Sequence, residues 1–277
     1  MRTVQGQAHA RFLCTAICKD REQTLMTTGK PEVQKHIRCV PGDVARYVLL
    51  PGDPGRAGRI AQQMDGARLI AQNREYVVYT GSTGGVPVSV CSTGIGGPSA
   101  SIALEELANI GADTFIRVGS AGGRQPQTPI GTPIILTAAY RGEGTSRAYL
   151  PPEFPAVADL DVTNALIAAA RELEGDAYRV GIAFTRDAYY VQDQALNELL
   201  TASGVEAAEQ EAAVLFVVGT CRHVRVGGIV ATDSNIWLPT QPTLAEKEAL
   251  FQQGERKAIA IALRAVQLLA GEDRGCR

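Results

Sequence analysis

The chain has 277 residues, of which 45% are hydrophobic and 20% charged, and its formal net charge is −2 at pH 7. This composition supports a sizeable core in one large α/β domain or two small ones. Acidic and basic residues are interspersed without a basic face or a charged tail, which argues against nucleic acid as a partner. No apolar run reaches the roughly 18–20 residues that a membrane span needs, so no membrane association is expected.

The six cysteines do not have the spacing of a disulfide framework, which predicts reduced thiols and a cytoplasmic location. Cys14 and Cys18 could form half of a metal site, but no second pair or nearby histidine completes it, so no bound metal is expected. Residues 1–30 lack the apolar segment of a signal peptide. We expect them to be a weakly structured N-terminal extension, followed by the folded domain over 31–277.

The first organised stretch is a strand followed by a glycine turn. The apolar run 46–50 predicts a buried strand, and residues 51–56 (PGDPGR) predict a tight turn into a helix. A strand, a glycine turn and a helix N-terminus form an anion site, with Gly52 in the turn and Arg56 as its charged partner. The alternative is that Arg56 is a solvated helix residue. The turn lacks the Gly-Lys-Ser/Thr ending of a Walker loop and the spaced glycines of a dinucleotide fingerprint.

Next along the chain, residues 75–80 and 86–92 predict two antiparallel strands around a glycine-rich turn, and Arg74 directly precedes the first. Residues 93–99 (TGIGGPS) then predict a second glycine turn into a helix, because Pro98 suits the first helical turn.

The run 114–118 is β-prone and contains Arg117 two residues before Gly119. An unpaired buried charge is costly, but at the C-terminal end of a strand the side chain can point into the crevice where open α/β sheets bind ligands. Gly119 and Ser120 allow backbone N–H groups to approach that ligand closely. The hypothesis is a phosphate-sized anion held by Arg117, a turn amide and the Ser120 hydroxyl. The alternative is a strand end whose arginine pairs with a carboxylate.

In the second half of the chain, strands are predicted over 131–137 and 178–184 and helices over 161–173 and 194–201. Tyr189 follows the second of these strands and could present a flat face to a base or a sugar, or be a half-buried amphipathic residue.

Glu209, Gln210 and Glu211 precede the apolar run 214–218. If they precede the helix, both carboxylates can reach one ligand as hydroxyl acceptors. The pattern alone favours the alternative, a solvated acidic helix start stabilised by the macrodipole.

The last predicted strand, 224–231, is followed by Thr232 and Asp233, and 243–270 predicts a long C-terminal helix. An aspartate at the C-terminal end of a strand is suited to general acid catalysis, although an N-cap or an Asx-turn is the alternative. The alternation of strands and helices from 46 to 270 has no composition break, which indicates one domain.

With these motifs in this order, the chain resembles the nucleoside phosphorylase family, which includes hexameric purine nucleoside phosphorylases and uridine phosphorylases. The resemblance covers roughly 35–270 and rests on 50–56, 92–99, 117–122 and 209–213. It implies an α/β fold, a single-domain three-layer α/β/α sandwich with a central mixed β-sheet of the phosphorylase/hydrolase-like type. It also implies a homohexamer, a trimer of dimers, with sites shared between subunits.

The resemblance further implies the site residues. Phosphate would be bound by Gly52, Arg56, Arg74, Arg117, Gly119 and Ser120, and the nucleoside by His36, Tyr189, Glu209, Gln210, Glu211, Thr232 and Asp233. The catalytic residues would be Arg117 and Asp233, the latter protonating a purine leaving group, and His36 and Arg74 would come from the neighbouring subunit. No metal or organic cofactor is implied, because inorganic phosphate is the co-substrate.

Three departures bear on the substrate. Gln210 stands where the family usually has methionine, and Ser234 where purine enzymes often have histidine. The 93–99 turn looks more like uridine phosphorylases, but the Gln-x-Arg pair that recognises uracil is absent from 191–195. A purine nucleoside is therefore expected, with uridine as the alternative. A nucleosidase is less favoured because Arg56 and Arg117 are both retained, and a non-catalytic nucleoside-binding protein is a further alternative.

Overall fold

The computed structural model describes residues 32–275, so the predicted extension 1–30 lies outside the described residues, as do Cys14 and Cys18. Among these residues, one compact unit begins at Gln34. The strands are β1 Tyr47–Leu50, β2 Asp65–Asn73, β3 Tyr76–Thr83, β4 Val86–Cys91, β5 Thr114–Gly123, β6 Pro133–Gly142, β7 Ala156–Val157, β8 Arg179–Arg186, β9 Val205–Glu209 and β10 Arg225–Asn235. The helices are α1 Pro54–Ala61, α2 Gly97–Asn109, α3 Thr145–Tyr149, α4 Leu160–Glu174, α5 Gln194–Ala202, α6 Ala212–Arg222 and α7 Leu244–Gly275.

The strands form one mixed sheet, as predicted. β4, β1, β5 and β10 are parallel neighbours, and β2 and β3 extend the sheet beyond β4 by antiparallel pairing. On the other side, β10 pairs with β6, β6 with β8, β8 with β9, and β9 returns to β5. Part of the sheet therefore closes on itself. Among the predicted site residues, the strands of this closed part carry Arg117, Gly119, Ser120, Glu209, Thr232 and Asp233.

Helices cover both faces of the sheet, which confirms the three-layer sandwich. Phe115 of β5 packs into a core with residues of α2 and α6, whereas Ile116 and Val118 pack into a second core with residues of α1, α4 and α7. Successive side chains of a strand point to opposite faces, so one strand contributes to both cores. Among the described residues, no helix is both long and apolar enough to cross a membrane.

The observed strands differ from the prediction at several places, and strand β9 (Val205–Glu209), which carries Glu209, was among those not predicted. β5 and β10 continue to Gly123 and Asn235, because the two strands pair in parallel along their whole length. The hydrogen bonds of this pairing come from the backbone, so they continue where the side chains are small or polar. The strand β2 was not predicted, because it lies at the sheet edge with side chains that are exposed or half-buried and gives no clear apolar alternation.

Candidate active site

Two glycine turns meet at the C-terminal ends of the parallel strands. The Thr93 N–H donates to the Pro51 carbonyl, and the Gly94 N–H donates to the Gly52 carbonyl, each at 2.9 Å. A Cβ at Gly52 would lie 3.0 Å from the Gly94 oxygen, so glycine permits this close approach. The sequence placed both turns at strand ends, and the structure brings them into contact.

Helix α1 begins directly after the first turn. The Asp53 carboxylate accepts the backbone N–H groups of Gly55 and Arg56 at 2.9 and 2.8 Å, which makes it the N-cap. Arg56 is only 5% exposed, so the interpretation of it as a solvated helix residue is wrong. Its Nη1 donates to the carbonyl of Val118 at 3.3 Å, which places its guanidinium against β5.

Arg117 lies at the junction of the site. It is 3% exposed, with Nε 2.9 Å from Glu209 Oε2 and Nη2 2.7 Å from Glu211 Oε2. Its Nε–H makes no hydrogen bond, so the contact with Glu209 is an ion pair that leaves one buried donor without an acceptor. The arginine thus pairs with carboxylates in this structure, and the carboxylates are the two acids expected to bind ribose.

Glu209 ends β9 and Glu211 directly precedes α6, and each is 5% exposed. The interpretation of these acids as a solvated helix start is therefore wrong. Glu209 Oε2 accepts the N–H groups of Glu211 and Ala212 at 2.8 Å, and the Thr185 hydroxyl donates to Oε1. These bonds fix the Glu209 carboxylate at the start of α6.

The second acid is held by the second glycine turn. Glu211 Oε1 accepts the N–H of Gly96, which has a φ of +94°, a conformation that favours glycine. Burial raises the pKa of Glu211, the Arg117 guanidinium opposes that rise, and the Glu209 carboxylate adds to it. The pKa of this carboxyl therefore lies above its ordinary value, because burial and the neighbouring acid outweigh the single cation.

The residues after Arg117 shape the rest of the anion site. A Cβ at Gly119 would lie 2.7 Å from Arg117 Cζ, so only glycine leaves room for the guanidinium across the strand. Ser120 follows as a half-buried residue and pairs in register with Ala231 of β10. Arg117, Gly119 and Ser120 thus lie in the middle of β5, where Arg117 pairs in register with Leu50 at the end of β1.

Asp233 occupies an irregularity of β10. Thr232 pairs with Ala121 and Ser234 with Gly122, so Asp233 has no opposite residue and forms a bulge. Bulges re-aim side chains and are common beside active sites. The half-buried Asp233 carboxylate accepts the Ser234 hydroxyl at 2.7 Å.

The Thr232 hydroxyl is hydrogen-bonded within the protein. It is fully buried, its hydroxyl donates to the Pro129 carbonyl at 2.8 Å, and it accepts the Thr132 N–H at 2.9 Å. Both partners belong to the loop before β6, and the nucleoside-binding role of Thr232 stays a prediction.

The loop after β8 carries the predicted aromatic residue. Tyr189 is 57% exposed, and the Arg186 guanidinium lies 5.9 Å from its ring centroid. Gln210 donates to the Asp187 carbonyl at 2.9 Å. The amide that replaces the family methionine therefore ties this loop to the acidic segment.

His36 lies beside the turn that carries Arg74. Asn73 Nδ2 donates to the His36 carbonyl at 2.7 Å, and Arg74 is exposed in the following turn with a φ of +54°. His36 Nδ1 lies 2.5 Å from Glu106 Oε1 of α2. Between residues 32 and 275, no hydrogen bond or ion pair joins His36 or Arg74 to Arg117.

Sequence reasoning missed Glu255, which is 4% exposed on α7 and binds Arg56. A signal was present, since Phe251, Ala258 and Ile259 surround this acid at helical spacing. An acidic residue on the apolar face of a helix indicates a buried charge partner.

The family model of the phosphorylase superfamily matches residues 46–267. A uridine phosphorylase from Thermococcus kodakarensis is 46% identical over 254 residues, which cover 87% of this chain and 88% of that protein. A guanosine phosphorylase from Halorubrum lacusprofundi is 36% identical over 239 residues, which cover 85% of this chain and 99% of that protein. The crystal structure of uridine phosphorylase from Vibrio fischeri ES114 matches with a TM-score of 0.79 at 33% identity, covering 87% of this chain and 98% of that one.

Proposed function

Since the chain belongs to the phosphorylase superfamily as a nucleoside phosphorylase, we propose that it catalyses the reversible phosphorolysis of uridine to uracil and ribose 1-phosphate. This is the alternative that the sequence analysis kept, and the relatives favour it over a purine nucleoside. The uridine phosphorylase from Thermococcus kodakarensis is 46% identical, against 36% for the guanosine phosphorylase.

The observation that carries the proposal is the ion pairing of Arg117 with both Glu209 and Glu211 beside two glycine turns. A guanidinium binds phosphate oxygens by charge-assisted hydrogen bonds, and carboxylates accept hydrogen bonds from ribose hydroxyls. One buried cluster thus holds the groups needed for both reactants. Glu209 and Glu211 place the sugar, and Arg117 places the nucleophile beside it.

The proposed reaction follows from this arrangement. A phosphate oxygen attacks C1′ of the ribose, the C1′–N bond breaks, and its electron pair leaves with the base. Positioning of two bound reactants can supply on the order of 7–11 kcal/mol of the barrier. The phosphate anion also stabilises the positive charge that develops on the sugar. Arg56 and Ser120 would complete the phosphate contacts, with Gly52 and Gly119 as the close backbone approaches.

A second candidate substrate is a 6-oxopurine nucleoside. It is favoured by Asp233, whose carboxylate at a bulge is suited to donate a proton to a departing purine, and by the guanosine phosphorylase relative. Tyr189 lies on the loop beside Gln210 and would contact the base of either substrate.

We further propose a cytoplasmic homohexamer in which His36 and Arg74 act in the neighbouring subunit's site. The support is that His36 lies beside the turn that carries Arg74, and neither residue has a hydrogen bond or ion pair to Arg117 among the described residues. His36 would bind the ribose 5′-hydroxyl and Arg74 the phosphate. No metal or organic cofactor enters the proposal.

The test is a panel of uridine, guanosine, inosine and adenosine, each with and without inorganic phosphate, with release of free base as the readout. The expected result is phosphate-dependent turnover that is fastest for uridine. Base release without phosphate would indicate a nucleosidase. Binding without any base release would indicate a non-catalytic nucleoside-binding protein.

A further inference from the structure

A buried carboxylate joins two arginines at the back of the phosphate site. Glu255 Oε1 accepts Arg56 Nε at 2.5 Å and Arg59 Nη2 at 2.8 Å, and Oε2 accepts Arg59 Nε at 2.6 Å. Glu255 lies on α7, 199 residues after Arg56, and its side chain is 6% exposed. This carboxylate therefore links the C-terminal helix to the first glycine turn.

The contacts of Arg56 fix the plane of its guanidinium. Nε is held by Glu255, Nη1 by the Val118 carbonyl, and Cζ lies 5.7 Å from the centroid of the Phe251 ring. Within the described residues, no hydrogen bond to Nη2 accompanies these contacts. An arginine fork oriented in advance loses less rotamer freedom when it binds an oxyanion.

We propose that Glu255 is a positioning residue for phosphate, which holds the Arg56 guanidinium against the Val118 carbonyl of β5 so that its remaining edge meets the anion. The inference rests on the proposed function, because it takes Arg56 as a phosphate ligand. Arg59 serves this arrangement by holding both oxygens of the same carboxylate, and it is itself anchored to Asp53 at 3.1 Å.

A role of Glu255 through its charge and a role through orientation of Arg56 predict opposite effects on phosphate binding when Glu255 is neutralised. Arg56 and Arg59 carry two positive charges, and Asp53 and Glu255 carry two negative ones, so the cluster is formally neutral. If Glu255 mattered only through its charge, its neutralisation would leave more positive charge and tighten phosphate binding. If it orients Arg56, the same change weakens phosphate binding.

Glu255→Gln separates the two cases, because it removes the charge and keeps the size of the side chain. We expect the KM for phosphate to rise about tenfold or more, as for the loss of an oriented charge-assisted contact. The KM for the nucleoside and kcat at saturating phosphate should change less than about threefold. The matched control is Glu248→Gln on the same helix, where the carboxylate is exposed and bonded to Gln252, and it should leave all three constants unchanged.

A double-mutant cycle tests whether Glu255 acts through Arg56. Arg56→Gln alone should raise the phosphate KM, and adding Glu255→Gln to it should raise that KM no further. A phosphate KM that is unchanged or lowered in Glu255→Gln would overturn the inference. So would a double variant whose increase in phosphate KM equals the product of the increases in the two single variants.

The folded state of each variant is checked by circular dichroism and thermal unfolding. Where Glu255→Gln does not fold, Glu255→Asp replaces it, since it keeps the charge but shortens the reach. A raised phosphate KM is expected there too, and an unchanged one would overturn the inference. A wild-type enzyme that turns over nucleosides without phosphate would contradict the proposed function itself, whereas a phosphate-dependent wild type with insensitive Glu255 variants would contradict only the positioning role.

Discussion

At the scale of single residues, Arg117 has two tasks. It forms ion pairs with two buried carboxylates in the structure, and in the proposed reaction it also binds phosphate. Removal of the cation would leave Glu209 and Glu211 buried without this ion-pair partner, and breaking a buried ion pair typically costs about 3–5 kcal/mol of stability. A test of the phosphate role must therefore keep the charge.

Arg117→Lys meets that condition. It retains a cation near both acids but loses the planar fork that can hold two oxygens at once. We expect kcat/KM for phosphate to fall about 10- to 100-fold, the size of a lost charge-assisted hydrogen bond. Initial rates at varied phosphate measure this, and an unchanged phosphate dependence in the folded variant would count against the anion site.

Asp233→Asn tests the general acid. The amide keeps the shape of the side chain at the bulge but cannot supply the carboxyl proton, so turnover of a purine nucleoside should fall about 10²-fold or more. Ser234→Ala is the matched control, because it removes only the hydroxyl that donates to Asp233. It should change the same rate less than about fivefold, the size of one typical intramolecular hydrogen bond. Near-wild-type guanosine turnover in Asp233→Asn would contradict the assignment of Asp233 as the general acid.

At the scale of elements, the backbone of α7 packs directly against the backbone of the loop before β6. A Cβ at Gly254 would lie 2.4 Å from the Gly131 oxygen, whereas a Cβ at Gly271 on the same helix would meet nothing within 4 Å. Substitution of the two glycines should therefore have opposite effects on stability. The first is required by packing, and the second only lowers helix propensity.

We therefore expect Gly254→Ala to destabilise the protein by about 1–3 kcal/mol, the usual cost of overpacking. Gly271→Ala should stabilise it by roughly 0.5–1 kcal/mol. Urea unfolding of both variants measures the two free energies. Equal effects of the two substitutions would show that α7 does not rest on the Gly131 backbone.

At the scale of the whole molecule, stability should depend on acid pH. Burial opposes ionisation of Glu255 and Asp273, but hydrogen bonds from their arginine partners, and from Tyr47 for Asp273, outweigh it and lower both pKa values. A carboxyl whose pKa is lower when folded stabilises the protein above its unfolded pKa and loses that contribution as the pH falls through the folded pKa. Glu211 acts in the opposite direction, because burial raises its pKa.

The expected outcome is a free energy of unfolding that falls as the pH is lowered from about 5 to about 3. Urea titrations across that range measure it. Asp273→Asn should make the free energy of unfolding depend less on pH in this acidic range, because the Asp273 carboxylate accepts hydrogen bonds from Arg225 at 2.8 Å and Tyr47 at 2.6 Å. A wild type equally stable at both pH values would contradict the linkage.

Shared sites make a prediction about assembly. If Arg74 serves a neighbouring subunit, Arg74→Ala and Arg117→Lys should each impair activity, and co-expressed mixed oligomers should contain some sites with both native side chains. We expect the purified mixture to exceed the mean activity of the two separate variants. No gain in oligomers shown by mass spectrometry to contain both chains would refute the shared site.

The sequence by itself determined the parts of this protein that depend on neighbours along the chain. The turn 51–56, the glycine turn before α2 and the strand around Arg117 were all predicted, because glycine, proline and apolar runs act on the backbone locally. The order of these motifs pointed to the family, and the resemblance to that family implied the mixed sheet.

Only the tertiary structure decided what the charged residues do. It showed that Arg56 is buried rather than solvated, that Glu209 and Glu211 share Arg117, and that Glu255 holds Arg56 from a helix 199 residues away. The cost of burying a charge depends on partners that the fold brings together, and residue type and spacing along the chain do not specify those partners.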